Sequence, residues 1–202
     1  MRVAIVGGPG VGKSTLVRQL ADLYHNGAYG EGEKGVWQPR VLADIAAGVN
    51  AIGVTEYFAR LYDANYRDAA GHDSPDKVIF FEGARITLEA HMAEYAPEDH
   101  DALRRVISIG DGWNPEKVIV LTSSTDTIEK HIRMRNREHE EVENMVRRFR
   151  LIDGEFRRLA PLYPNTIVID RDSMEFHERS GLVDIINAAG LPMFREIPYA
   201  QL

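Results

Sequence analysis

The chain of 202 residues contains no cysteine, which excludes a disulfide framework, a zinc-thiolate centre and a cysteine nucleophile. No apolar run approaches the length needed to span a bilayer, and the apolar stretch in residues 1–6 is too short for a signal peptide, so a soluble cytoplasmic protein is expected. The seven histidines show no H-x-x-x-H or comparable ligand spacing, so His91 and His131 read as ordinary helix residues. Lysine is scarce, with 5 residues against 19 arginines, and the formal net charge is −7. That balance argues against a general nucleic-acid binder, whose affinity comes from neutralising backbone phosphates. There is no internal repeat and no low-complexity block. The length fits a single domain over 1–202 with a core large enough to need no staples.

What is present begins at the amino end. Residues 7 to 14 read Gly-Gly-Pro-Gly-Val-Gly-Lys-Ser, a complete G-x-x-x-x-G-K-[ST] pattern. It follows the apolar run Val3-Ala4-Ile5-Val6 and precedes Thr15-Leu16-Val17-Arg18-Gln19-Leu20-Ala21, with apolar positions at helical spacing. Strand, glycine loop and helix in this order predict a phosphate cradle. Backbone N–H groups converge on phosphate oxygens only where side chains leave room, and the helix N-terminus adds partial positive charge. The phosphate-binding set is Gly7, Gly8, Pro9, Gly10, Val11, Gly12, Lys13, Ser14 and Thr15. Lys13 is expected to reach the β- and γ-phosphates of ATP, and Ser14 to ligate Mg²⁺.

Strand and helix patterns alternate along the chain, predicting an α/β fold with a mostly parallel sheet and helices on both faces. Buried strands are expected at Val3–Val6, Val78–Phe81, Val118–Leu121 and Thr166–Ile169, each short and rich in β-branched or aromatic residues. Residues 26–39 are glycine-rich and polar, a weak strand running into a mobile loop. Helices are expected over 49–68, from 124 to 131, over 139–160 and over 181–189, and residues 97–115 read as an irregular connection with one short helix. Asp73-Ser74-Pro75-Asp76 is a turn.

Other chemical groups cluster around this frame. The second long strand ends Phe80-Phe81-Glu82-Gly83-Ala84-Arg85, and ligands in such sheets gather outside the carboxyl ends of strands. A carboxylate emerging from so apolar a run needs a cation or hydrogen bonds, so Glu82 is expected to bear on Mg²⁺, its water shell or a substrate group. Arg85 is a candidate for the same cleft. Eight of the arginines lie between 133 and 158, and Arg133, Arg135 and Arg137 alternate just where a helix meets a polar run. That triplet reads as a lid, about 133–145, bringing guanidinium groups onto a transferring phosphoryl. The plainer alternative is a solvated charge run paired with Glu138, Glu140 and Glu141. Glu31 and Glu33 are candidates for accepting the proton of an attacking hydroxyl. Trp37, Tyr57, Phe58 and Tyr62 are candidates for stacking on a base, although aromatics at helical spacing more often serve a core.

Together these residues resemble the deoxynucleoside kinase branch of the thymidylate kinase-like P-loop kinases. The corresponding parts are Gly7 to Ser14, Glu31 to Trp37, Gly53 to Asp63, Glu82 to Arg85, Arg133 to Glu138, and Val168 to Phe176. The chain departs from the family pattern at three places. Glu82-Gly83-Ala84 replaces an acid-Arg-Ser triplet, Gly32 stands where a proline follows the first glutamate, and Thr55-Glu56-Tyr57 replaces a base-reading glutamine.

The resemblance implies a three-layer P-loop NTPase fold with an arginine lid, using ATP and Mg²⁺. It implies Lys13, Glu31, Arg133, Arg135 and Arg137 as catalytic residues, Trp37, Tyr57, Glu82 and Arg85 at the acceptor, and Ser14 and Glu82 at the metal. The acceptor is a nucleoside or nucleotide, with a homodimer as the family's habit and with no membrane or nucleic-acid partner. Two alternatives stay open. A nucleoside monophosphate kinase would need Arg40, Arg60 or Arg85 in the acceptor pocket. A regulatory ATPase or switch protein would need a partner surface, and the guanine-selecting Asn-Lys-x-Asp is absent.

Overall fold

Five parallel strands form one sheet in the order β2-β3-β1-β4-β5 in the computed structural model. The structure describes residues 1–31, 39–72, 74, 77–135, 141–174 and 178–194, with the side chains of all but Leu42, Ala46 and Arg135. The strands are β1 (Arg2–Gly7), β2 (Ala28–Tyr29), β3 (Ile79–Glu82), β4 (Lys117–Thr122) and β5 (Thr166–Asp170). The helices are α1 (Lys13–Tyr24), α2 (Pro39–Ala47), α3 (Ala51–Ala70), α4 (Arg85–His91), α5 (His100–Ile107), α6 (Thr125–Arg135), α7 (Val142–Leu159) and α8 (Arg179–Ala189).

Two-residue periodicity explains the layers. Val3 and Ile5 of β1 point to one face, packing with Leu16, Val17 and Leu20 of α1 and Ile185 and Ile186 of α8. Ala4 and Val6 point to the other, packing with Ile86 of α4 and Ile152 and Phe156 of α7. All four strand residues are 0% exposed, so β1 is a continuous apolar run, as a central parallel strand must be. Val3, Ile5 and Val6 each contribute about 1.5–3 kcal/mol through burial, and the methyl of Ala4 less. A third cluster joins Ile79 and Phe81 of β3 to Tyr62 and Tyr66 of α3 and to Trp113. Tyr66 stacks on Phe81 at 4.2 Å and on Trp113 at 5.5 Å, making a rigid aromatic wall behind the sheet edge.

The strand order determines where a crevice opens. The chain builds β2 and β3 on one side of β1 and β4 and β5 on the other, so the order reverses at the carboxyl end of β1. A crevice outside the strand ends opens at such a reversal. The glycine loop leaves β1 at that point, and the register sets Ile5 opposite Glu82 and Gly7 opposite Leu121.

The four expected buried strands form within a residue or two of their expected bounds, and the weak strand in the glycine-rich stretch shrinks to two residues. Two helices were not anticipated. The seven residues of α4 are too short to display a period, and α2 opens on Pro39, which a first turn tolerates because its missing N–H is unsatisfied there anyway. Residues 32–38, with Glu33 and Trp37, lie outside the described residues, as do Arg137, Glu138, Glu140 and Phe176 and, save Ser74, the turn at 73–76.

Candidate active site

The loop from Gly7 enters α1 through Gly12, whose φ of 100° is a left-handed conformation that a side chain would strain. Below the loop lies the ring of Phe149 from α7. A Cβ on Gly8 would sit 2.6 Å from that ring, so the loop backbone packs against it only because residue 8 has no side chain. Lys13 Nζ donates to the Gly8 carbonyl at 3.3 Å, which holds the ammonium against the same loop.

Glu82 ends β3 beside this loop, 6% exposed. Ser14 Oγ donates to its Oε1 at 2.7 Å, and the Glu31 main-chain N–H donates to its Oε2 at 3.5 Å. Burial pushes the Glu82 carboxyl upward and the neighbouring Glu31 carboxylate adds to this, while Lys13 and the Ser14 hydroxyl pull it back. A hydroxyl and a carboxylate in contact are hard oxygen donors that suit Mg²⁺, which takes its remaining ligands from phosphate and water. Among the described residues no group of three or more His, Asp or Glu is arranged to hold an ion by itself. The pair Ser14 and Glu82 therefore fits a metal that arrives with a nucleotide.

A cavity of about 150 Å³ adjoins the loop at Pro9 and Lys13. Glu31 stands on its wall, with Val54, Thr55, Phe58 and Tyr62 from α3, Thr87, Leu88 and His91 from α4, and Met145 and Arg148 from α7. The Tyr62 hydroxyl donates to Glu31 Oε1. Of the aromatic candidates, Phe58 and Tyr62 line this cavity. Tyr57 lines a separate, more open recess with Arg40, Glu56 and Arg60.

The remaining candidates divide by pairing. Arg85 bonds Glu89 at 2.9 Å and also Asp111, and it is not among the residues lining the cavity. Arg60 is held by Glu56 at 2.5 Å on the exposed face of α3. Arg133, one turn beyond Glu129, bonds it at 2.6 Å and faces solvent. Arg135 ends α6 with its side chain outside the described set.

Sequence reasoning missed Thr87, Leu88, Tyr95 and Arg148, and it treated His91 as ordinary. The one available signal was the i,i+3 spacing of His91 and Glu94. His91 Nδ1 lies 2.6 Å from Glu94 Oε2, and the Arg148 guanidinium grips both oxygens of the same carboxylate. Burial alone would raise Glu94, but the hydrogen bond with His91 and then the Arg148 guanidinium outweigh it and hold the carboxyl at about 2.

Because that value lies below the ordinary 4.5, the stabilisation is complete above about pH 4.5 and lost as pH falls through about 2. Glu94→Gln is expected to lower stability at pH 7 by roughly 1–3 kcal/mol, the cost of a lost charged hydrogen bond in a buried place, with the gap from wild type closing toward pH 2. Thermal melts of both proteins across this range check it, and a constant gap would contradict the assignment.

The fold and this loop define the class: a P-loop NTPase α/β fold, with five parallel strands covered by helices on both sides. Among solved structures, a deoxyadenosine kinase from M. mycoides with products dCMP and a flexible dCDP matches with a TM-score of 0.69 at 16% identity, covering 93% of this chain and 97% of that one. The same kinase with bound dATP matches with a TM-score of 0.67 at 16% identity over the same shares. The NadR protein in complex with NR matches with a TM-score of 0.59 at 18% identity, covering 98% of this chain and 54% of that one. No family model and no curated protein matches the sequence. Among the described residues no helix is long and apolar enough to cross a membrane.

Proposed function

We propose that the protein transfers the γ-phosphoryl group of ATP to a hydroxyl of a nucleoside, with deoxynucleosides the first class to test. The observation that carries this reading is a cavity opening on the phosphate loop with one carboxylate, Glu31, and one ammonium, Lys13, on its wall. Lys13 and the loop amides from Gly7 to Thr15 hold the β- and γ-phosphates. Ser14 and Glu82 hold Mg²⁺, which when bound offsets charge building on the phosphate oxygens. Glu31 takes the proton of the acceptor hydroxyl as its oxygen bonds to the γ-phosphorus, and the bond from that phosphorus to the bridging oxygen breaks with its electron pair leaving on ADP. Arg133, Arg135 and Arg137 carry the lid role in this reading, Arg133 exchanging its Glu129 partner for the phosphates. Positioning and electrostatics supply most of the rate, because phosphoryl transfer leaves the protein little covalent work.

Pairing favours a nucleoside over a monophosphate as acceptor. A second phosphate in the cavity needs a guanidinium, yet Arg85 and Arg60 are engaged elsewhere and Arg148 is committed to Glu94. The solved neighbours support the reading through their ligands, dCMP, dCDP and dATP on one and NR on the other. A screen with labelled ATP against deoxynucleosides, ribonucleosides and nucleoside monophosphates tests it. Labelled nucleoside monophosphates are the expected products. Transfer only to monophosphates, or ATP turnover that responds only to an added protein, would overturn the proposal.

A further inference from the structure

Position 83 is one of the three places where the chain departs from the pattern it resembles, and the structure places a specific partner against it. Gly83 has φ +102°, and a Cβ there would lie 2.4 Å from Tyr62 Cζ. Only glycine both accepts this conformation and leaves room for the phenol ring. The ring is 2% exposed and fixed from other sides as well. It meets Trp113 edge-on at 5.9 Å and Phe58 at 6.2 Å, and Trp113 is itself anchored by its Nε1 donating to Asp63 at 3.1 Å. The hydroxyl at the end of this immobile ring donates to Glu31 Oε1.

Glu31 follows a strand of only two residues, and its main-chain N–H is tied to Glu82 by a bond of 3.5 Å. A carboxylate that must meet an incoming hydroxyl within a few tenths of an ångström needs a rigid neighbour. We propose that Tyr62 is the positioning residue for phosphoryl transfer: wedged against Gly83, its hydroxyl fixes the Glu31 carboxylate on the cavity wall where the acceptor hydroxyl arrives. This rests on the proposed kinase reading. Burial pushes the Tyr62 phenol well above its ordinary range, so it stays a donor at every working pH.

The test uses the full chain and the best acceptor from the screen. Tyr62→Phe removes one oxygen and is expected to lower kcat by about 10–100-fold. The KM and calorimetric Kd for MgATP should stay within about twofold and the melting temperature within a few degrees, since the ring contacts persist. In a Glu31→Gln background the same change is expected to cost less than about twofold, because a residue acting through Glu31 has nothing left to position. Replacing Tyr62 by 3-fluorotyrosine keeps the donor and should hold kcat within about threefold of wild type. Unchanged kcat in Tyr62→Phe, equal losses in both backgrounds, or loss of folding in either variant would overturn the proposal. Absence of transfer by the wild-type protein would instead overturn the kinase reading itself.

Discussion

Lys13→Ala is expected to abolish transfer, lowering kcat/KM by at least about 10³-fold while the protein stays folded. Removing a single neutral donor from a preorganised site typically costs about 10²–10³-fold, and in the proposed mechanism Lys13 brings a full charge to the point where phosphate charge accumulates. The fold does not depend on it: among the described residues its Nζ makes one hydrogen bond, to the Gly8 carbonyl at 3.3 Å, and the side chain is outside the apolar clusters. Steady-state transfer, calorimetry with MgATP and a thermal melt separate the effects. Near-wild-type turnover in a folded variant would remove the ammonium from the mechanism.

Glu31→Gln should lower kcat by about 10²–10⁴-fold, the range that a positioned general base supplies. Glutamine keeps the shape and still accepts from Tyr62, so packing and ATP affinity are expected to persist. The loss should therefore fall on kcat rather than on the KM for ATP. Glu82, the other carboxylate at this place, is distinguished by its contacts: it accepts from Ser14 and from the Glu31 main chain, which suits holding a metal rather than taking a proton. A Glu31→Gln variant that retains more than about a tenth of wild-type kcat would pass the base role to another group.

Legibility followed the length scale of the interactions. The glycine loop was readable because its pattern is local: eight consecutive residues carry it, between an apolar strand and a helix. Strands β1, β3, β4 and β5 were readable because continuous apolar runs mark burial on both faces. Helix α4 was not, being seven residues long, and with it went Thr87, Leu88 and His91 of the cavity. Arg148 was one of many arginines in the chain's basic stretch. Nothing in its neighbourhood along the sequence indicates that it meets Glu94, 54 residues earlier.

Position 83 makes the division clear. As a sequence, Gly83 is only an absence, a missing arginine in a familiar triplet. In the folded chain it is the space that the Tyr62 ring fills, with the hydroxyl brought to Glu31 across 31 residues.

From its residues alone the protein was already an alternating α/β chain with a strand, glycine loop and helix at its amino end, since period, glycine placement and the Lys13-Ser14 pair act over a few neighbours. Tertiary structure alone decided which carboxylate faces the cavity, which arginines are already paired, and that a tyrosine stands behind the candidate base. Those outcomes depend on strand order and helix packing, which bring together side chains that no local pattern connects.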